Sequence, residues 1–538
     1  MNETLPRIGS RRDGSSFFGK TSWITLPTLS AALLNCAFPY PGFSFLAWVA
    51  LAPLFVVVLT EKRLGKVLGA SAVAGFLFNI VYLLWMKEYK HPASLSGGVF
   101  SQMLFFSFAV LLSRVLSRAT RRFKALALAL GWCAVDYVKT IGFLGFPWGI
   151  LGYSQYKNLL LIQTASVFGV WGIDALVLYA NAILAALIAG WVGGGSAAAA
   201  IRSRAFSIWA FCALFAASAV YGVFAVKGEE KAGYDTKRVA LIQTNFDPWS
   251  PRLKENLDRE IELTREALAR DPDLIVWSES SVPFPYQFYL ERNNRYARLV
   301  HDFIVSVKKP FLIGTLEFEG SYENGTYDGD WYNVAVFYGR EGLQGSYRKI
   351  HLVPFGEWFP FDRVFPFVKK ILEDAGTGDF VPGTEFTVFD AGSFRFSALV
   401  CFEDVFGDLT RRFMSGSGKP GILVNVTNDA WSGSRKAEVQ HFSQSVFRAV
   451  ENRVGLARAA NGGVSACVDT CGRVTGSIEL FTSSMLVCDV PVGRGGRQTF
   501  YVRNGDLPAR VVLSLAGAAL LAVVAKKVID RKRKNHIM

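Results

Sequence analysis

Phe394-Arg395-Phe396-Ser397-Ala398-Leu399-Val400-Cys401-Phe402-Glu403-Asp404 is an apolar run that stops on a cysteine and then turns acidic. The run reads as a strand, and Cys401 would stand at its carboxyl end, where α/β sheets gather ligands and reacting groups. Two other segments of the same region end comparably. Leu274-Ile275-Val276-Trp277 leads into Ser278-Glu279, and Tyr347-Arg348-Lys349-Ile350-His351 carries a lysine into a short polar turn. A thiol, a carboxylate and an amine placed this way read as covalent acyl-transfer chemistry, because a thiol nucleophile needs a base and a stabiliser for the oxyanion it creates.

Composition puts this region inside a membrane protein. The chain has 538 residues, 51% of them hydrophobic, and a mean hydropathy of +0.26, too apolar for a soluble protein of this length. Apolar stretches lie at 22–38, 43–60, 65–86, 97–117, 123–141, 160–191, 206–226 and 509–526. Each is close to the ~20 residues that cross a bilayer, giving about eight spans, with 160–191 long enough to break. The chain then divides into a membrane bundle at 1–227, an α/β domain at 228–505, and a last span with a basic tail at 506–538.

Charge placement orients the bundle. Arg7, Arg11, Arg12 and Lys20 precede the first span, and Lys62, Arg63 and Lys66 follow the second. Arg118, Arg121, Arg122 and Lys124 precede the fifth, and Lys526, Lys527, Arg531, Lys532, Arg533 and Lys534 follow the last. The positive-inside rule makes both termini cytoplasmic, so an even span count carries 228–505 to the other side, the periplasm or cell exterior. The net charge of +14 is therefore mostly topology. Its basic clusters flank spans and form no continuous face for nucleic acid.

Within 228–505 strands are expected at Arg238–Gln243, Leu274–Trp277, Phe311–Gly314, Asn333–Tyr338, Phe394–Val400, Gly421–Val426 and Val464–Asp469. Between them Leu253–Arg270, Arg292–Lys308 and Lys436–Val454 carry apolar residues at helical spacing with charges on the other face. Of seven cysteines, Cys401, Cys467, Cys471 and Cys488 fall in this region, with Cys467 and Cys471 either paired or simply buried. No metal is expected: the five histidines form no ligand spacing, and His351 and His441 have no ligating neighbours in the sequence.

The segments Trp277–Phe284 (WSESSVPF), Tyr347–Trp358 (YRKIHLVPFGEW), Leu399–Phe406 (LVCFEDVF) and Val424–Gly433 (VNVTNDAWSG) resemble those of the nitrilase (carbon–nitrogen hydrolase) superfamily. With the surrounding spans, and with Phe146–Gly149 (FPWG) followed by Gly152–Gln155 (GYSQ), the chain is similar to the membrane-embedded branch of that superfamily, the apolipoprotein N-acyltransferases. The resemblance implies a nitrilase-like αββα sandwich beside an α-helical membrane bundle, in a bacterial inner membrane with the sandwich in the periplasm. It implies no cofactor. The acyl donor would be a phospholipid and the acceptor the α-amino group of a diacylglyceryl-cysteine on apolipoproteins.

Matched residue by residue, the resemblance makes Cys401 the nucleophile that forms a thioester, Glu279 the general base and Lys349 the oxyanion ligand. A carboxylate works as a base near neutrality only when desolvation raises its pKa, and Trp277 and Pro283-Phe284 supply an apolar setting. Glu357 and Glu403 match carboxylates that support the site. Trp249, Trp358, Phe361 and Phe402 are candidate substrate contacts, and the aromatic stretch from Trp358 to Phe367 reads as an interfacial lid that limits water access.

Two competing readings use the same residues. A membrane-anchored amidase differs only in the acceptor, and about eight spans exceed what anchoring needs. A transporter or receptor with an inactive domain would need polar groups along its spans, where Asp136 and Asp174 are the main charges, and would not need an intact Cys401, Glu279 and Lys349.

Overall fold

The computed structural model describes residues 21–89, 93–120, 122–249, 252–359, 361, 364, 367, 370, 378–416, 418–493 and 498–535. In the amino-terminal part, helices at Leu64–Tyr82, Ser94–Ala119, Val170–Val192 and Ala197–Lys231 are long and apolar enough to cross a membrane, as is Leu507–Asp530 near the other end. The other expected spans are present as shorter helices. Ser22–Ala37 has 16 residues and Lys124–Val138 has 15, while 43–60 splits into a 3-10 turn at Ser44–Trp48 and a helix at Ala52–Thr60. The break expected in 160–191 falls at Gly169, whose φ of +62° ends the short helix Ala165–Phe168 before Val170–Val192 begins. A side chain there would meet the Tyr501 ring, so the position requires glycine for space as well as for conformation.

The α/β region is built from two six-stranded paths. The first runs β13 (Ser484–Pro491), β1 (Thr236–Gln243), β2 (Leu274–Trp277), β4 (Phe311–Glu323), β5 (Thr326–Gly339), β6 (Gly342–Arg348), with β3 (Val282–Pro285) paired to β4. The second runs β12 (Val474–Ser477), β11 (Ala466–Val468), β10 (Gly455–Asn461), β9 (Ile422–Asn428), β8 (Arg395–Val400), β7 (Phe389–Asp390). β1, β2 and β4 are parallel, as are β8, β9 and β10, so their carboxyl ends share an edge, as parallel strands must.

The sheets face one another across Val239, Leu241, Leu274 and Val276 on one side and Phe396, Ala398, Val424 and Ala457 on the other. Each Val, Leu or Phe among them, fully withdrawn from water, contributes about 1.5–3 kcal/mol. The helices Leu253–Leu268 and Arg295–Val307 cover the outer face of the first sheet. On the second sheet lies Arg435–Asn452, whose Phe442, Val446, Phe447 and Val450 join one apolar cluster with residues of the membrane bundle.

That last helix departs from the amphipathic pattern expected of it. Its polar residues Glu438, Gln440, His441, Ser443, Gln444, Ser445, Arg448 and Glu451 are buried too. The bundle covers the face that would otherwise meet water, and the polar groups find partners there: Trp85 Nε1 donates to Gln440 Oε1 at 3.2 Å, and Gln440 Nε2 donates to the Tyr82 carbonyl at 3.3 Å.

The cysteine pairing also differs from the alternatives drawn from the sequence. Cys467 on β11 is bonded to Cys488 on β13, tying one sheet to the other, and Cys471 is a buried free thiol. Cys471 is buried, one of the two alternatives, while Cys467 pairs with the strand that the other sheet brings alongside.

Candidate active site

Glu279, Lys349 and Cys401 follow β2, β6 and β8 at the carboxyl edge of the two sheets. Cys401 has a φ of +52°, a left-handed conformation that costs a non-glycine residue of order 1–3 kcal/mol and persists where the surroundings fix it. Here the fixing group is Glu403. Its Oε2 accepts from the Val400 amide at 2.8 Å, and its Oε1 accepts from the Ile350 amide at 2.7 Å, the His351 amide at 3.0 Å and the Tyr347 hydroxyl at 2.8 Å. One buried carboxylate therefore ties the turn that carries Cys401 to the turn that carries Lys349. Burial pushes Glu403 up to about 7 against the pull of the Val400 and His351 amides.

Lys349 is 1% exposed. Its Nζ donates to Glu357 Oε1 at 2.8 Å and lies 3.7 Å from Glu279 Oε1. Burial works against its charge, but the charges of Glu357 and Glu279 outweigh burial and hold the amine well above its ordinary range. A fixed ammonium, compact and cationic, is what an oxyanion requires of its neighbour.

Glu279 sits in a backbone turn that only a glycine opposite allows, since a Cβ on Gly314 would fall 2.5 Å from the Glu279 Cα. Its Oε1 accepts from Asn333 Nδ2 at 2.8 Å and its Oε2 from the Asn428 amide at 2.7 Å. Burial raises its pKa, Lys349 opposes the rise and Glu357 adds to it. The Cys401 thiol is raised well above its usual range by burial and by Glu279, with Lys349 opposing. The resting pair is therefore a thiol beside a carboxylate, and the carboxylate is a stronger base than a solvated one.

Glu357 braces the lysine: its Oε1 also accepts from Asn333 Nδ2 at 2.8 Å, and its Oε2 from the Val353 amide at 2.7 Å. Asn333, a polar residue inside the apolar run of β5, thus holds two carboxylates apart with one amide. The sequence reading missed it, although a lone asparagine in Trp331–Tyr338 is a visible interruption.

The aromatic candidates separate. Phe402 stacks on Trp148 of the bundle at 5.7 Å and 18°, beside His351 and Phe406. Trp358 and Phe361 both pack edge-on against Phe143, at 5.8 and 6.1 Å; residues 360, 362, 363, 365 and 366 of the expected lid lie outside the described residues. Trp249 is apart from these, edge-on to Trp431 at 4.8 Å. Asn428 ends β9 and Asp429 opens a 3-10 turn, and both are buried.

Comparison with known proteins places the whole chain. Residues 30–183 match the apolipoprotein N-acyltransferase N-terminal domain, and residues 238–498 match the carbon-nitrogen hydrolase family. An apolipoprotein N-acyltransferase of Geobacter metallireducens is 37% identical over 528 residues, 95% of this chain and 96% of that one. This chain belongs to the apolipoprotein N-acyltransferase family. Apolipoprotein N-acyltransferase 1 of Treponema pallidum is 35% identical over 86% of this chain and 89% of its own. Among solved structures, an amidase from Nesterenkonia sp. aligns with 50% of this chain and 95% of its own, at 18% identity and a TM-score of 0.35.

Proposed function

We propose that this protein transfers a fatty acyl chain from a phospholipid to the α-amino group of an apolipoprotein's diacylglyceryl-cysteine, through a thioester on Cys401. The observation that carries the reading is the buried Glu279 and Lys349 beside a half-buried Cys401 at the carboxyl edge of the two sheets, in a chain of this family. Glu279 takes the thiol proton as sulfur attacks the ester carbonyl, and the Lys349 ammonium meets the oxyanion. Collapse expels the lysophospholipid alkoxide, which leaves with the proton held by Glu279. The acceptor amine then attacks the thioester, Glu279 removes its proton, and the thiolate departs and is reprotonated. Glu357, Glu403 and Asn333 keep these groups in register.

In this reading residues 1–227 form the membrane bundle, 228–505 the catalytic domain and 506–538 the last span with its tail. The basic loops put the tail in the cytoplasm and the catalytic domain in the periplasm of the inner membrane. The Cys467–Cys488 bond supports that side, since disulfides persist in oxidising compartments. Phe402, Trp358 and Phe361 would line the path of the acyl chain, because each meets an aromatic of the bundle; Trp249 would touch substrate at the far rim.

The test uses the purified full chain in detergent with a phospholipid and a diacylglyceryl-cysteine peptide. N-acylated peptide should form with the wild type and not with Cys401→Ala. Free fatty acid as the main product, with the peptide unmodified, would make the protein a hydrolase instead.

A further inference from the structure

Beneath Cys401 lies a charged cluster that the chemistry above does not use. His441 Nε2 is 2.8 Å from Asp404 Oδ1 and its Nδ1 is 3.0 Å from Asp429 Oδ1. Arg458 Nη1 is 2.9 Å from Asp404 Oδ2, and its Nη2 is 2.6 Å from Asp429 Oδ2. None of the four residues is more than 8% exposed. Arg458 also donates to Asn425 Oδ1 at 2.5 Å, and Asn425 Nδ2 donates to the Cys401 carbonyl at 3.2 Å. The Thr427 hydroxyl donates to Asp429 Oδ1 at 2.8 Å and stands within hydrogen-bonding reach of the Cys401 sulfur.

A neutral imidazole has one N–H, whereas both ring nitrogens of His441 meet carboxylate oxygens. Burial and the approach of Arg458 Nη2, 3.1 Å from Nδ1, oppose a second proton. Asp404 and Asp429 outweigh them and push the imidazole up to about 9. Two cations then balance two anions. Glu438, one turn away on the same helix, is pushed well above the usual carboxylate range by burial and by Asp429. The groups that face the Cys401 thiol are Glu279, Lys349, Asp429, Arg458 and Tyr89, so this balance decides whether a net charge sits under the nucleophile.

We propose that His441 is a positioning residue, whose imidazolium closes a neutral four-charge cluster with Asp404, Asp429 and Arg458 that locks Thr427 and the Cys401 turn and leaves no uncompensated negative charge beneath the thiol. The proposal rests on Cys401 being the nucleophile, and its test does not require transfer activity. An unbalanced unit charge ~10 Å away, at an effective dielectric near 20, moves a pKa by roughly one unit.

The rate of Cys401 alkylation by iodoacetamide, read on the Cys401 peptide by mass spectrometry, is measured at pH 7, below the range in which His441 loses its proton, in the full-length protein. His441→Gln leaves one net negative charge and should slow alkylation about 10-fold. Asp404→Asn removes one carboxylate and loosens the hold on the imidazolium proton, so the cluster stays neutral or turns positive and alkylation should hold or quicken. The double variant restores the balance and should return near the wild-type rate. Should His441→Gln fail to fold, Asp404→Asn carries the test, and slowing there would overturn the proposal. An unchanged rate in His441→Gln, or slowing in both single variants, would overturn it as well. Loss of transfer in every variant with alkylation rates that follow charge would leave the cluster's role intact and count against only the acyl-transfer reading.

Discussion

The ring of Phe402, the residue after the proposed nucleophile, lies stacked on Trp148 of the membrane bundle, with centroids 5.7 Å apart and planes 18° from parallel. Phe146 also stacks on Trp148, at 4.7 Å, and Trp85 packs against it at 6.2 Å. The sulfur is thus next to a column of aromatic rings that begins within the bundle. A surface of this kind suits a chain that must reach the thiol from lipid and displace water on arrival.

Truncating that column should act on lipid use before it acts on the thiol. Trp148→Ala should lower transfer from long-chain phospholipid roughly 10-fold, the equivalent of an aromatic contact worth ~1 kcal/mol or more. Trp148→Phe should keep most activity. Alkylation of Cys401 by a small reagent should stay within a factor of ~2 for both. Equal losses in transfer and alkylation would make Trp148 a support for the turn and not part of a lipid path.

Phe143 meets both Trp358 and Phe361. If these aromatics gate a lipid-filled site, Trp358→Ala and Phe361→Ala should weaken use of long-chain donor and lipoprotein acceptor while thiol alkylation holds or quickens. A parallel fall in lipid turnover, alkylation and thermal stability by a few kcal/mol would mark them as core.

Glu279→Gln keeps the shape but turns one of the two oxygens that accept from Asn333 Nδ2 and the Asn428 amide into an NH2 donor, and it removes basicity, so thioester formation should slow by ~10²–10⁴-fold. Lys349→Met should lose ~10²–10³-fold, and Lys349→Arg should not rescue it, because a planar fork cannot replace a compact ammonium between two carboxylates. The Glu279 pKa is raised, chiefly by burial. Its base form therefore accumulates at higher pH than for an ordinary glutamate, and the acid limb of the rate profile should lie above the usual carboxylate range of ~4. An acid limb at that ordinary value would mean that Glu279 is solvated during turnover.

Much of this arrangement was legible in the sequence. The β2 strand Leu274–Trp277 has the expected bounds, and Glu279 and Cys401 each follow a strand whose apolar pattern was plain, whereas Lys349 follows β6, where only the basic turn itself was visible. The supports were harder to read, because each joins residues far apart in the chain. Asn333 spans Glu279 and Glu357, and Asp404 finds His441 only when Arg435–Asn452 docks. β10, Gly455-Leu456-Ala457-Arg458-Ala459-Ala460-Asn461, has small residues and a central arginine. It was not among the expected strands, and its Arg458 is paired with two buried aspartates. β6 and β12, with polar or glycine-broken patterns, gave no strand signal for the same reason: their neighbours, not their own periodicity, hold them in the sheet.

His441 links the site to stability. Its folded pKa of about 9 lies above the unfolded value, so its contribution is complete below ~6.5 and is lost as pH rises through the folded value, up to ~3 kcal/mol in total. Thermal unfolding should therefore show a fall in stability between those limits, and His441→Gln should flatten it. A wild-type protein whose stability is level or rises across that window would contradict the charged state assigned to His441.

The most direct measurement of the central claim is intact mass after incubation of the full chain with phospholipid and no acceptor. One acyl increment should appear, map to the Cys401 peptide, disappear with neutral hydroxylamine as a thioester does, and be absent from Cys401→Ala. An increment that survives hydroxylamine or maps to another residue, or an unmodified protein that still acylates the peptide, would contradict the account.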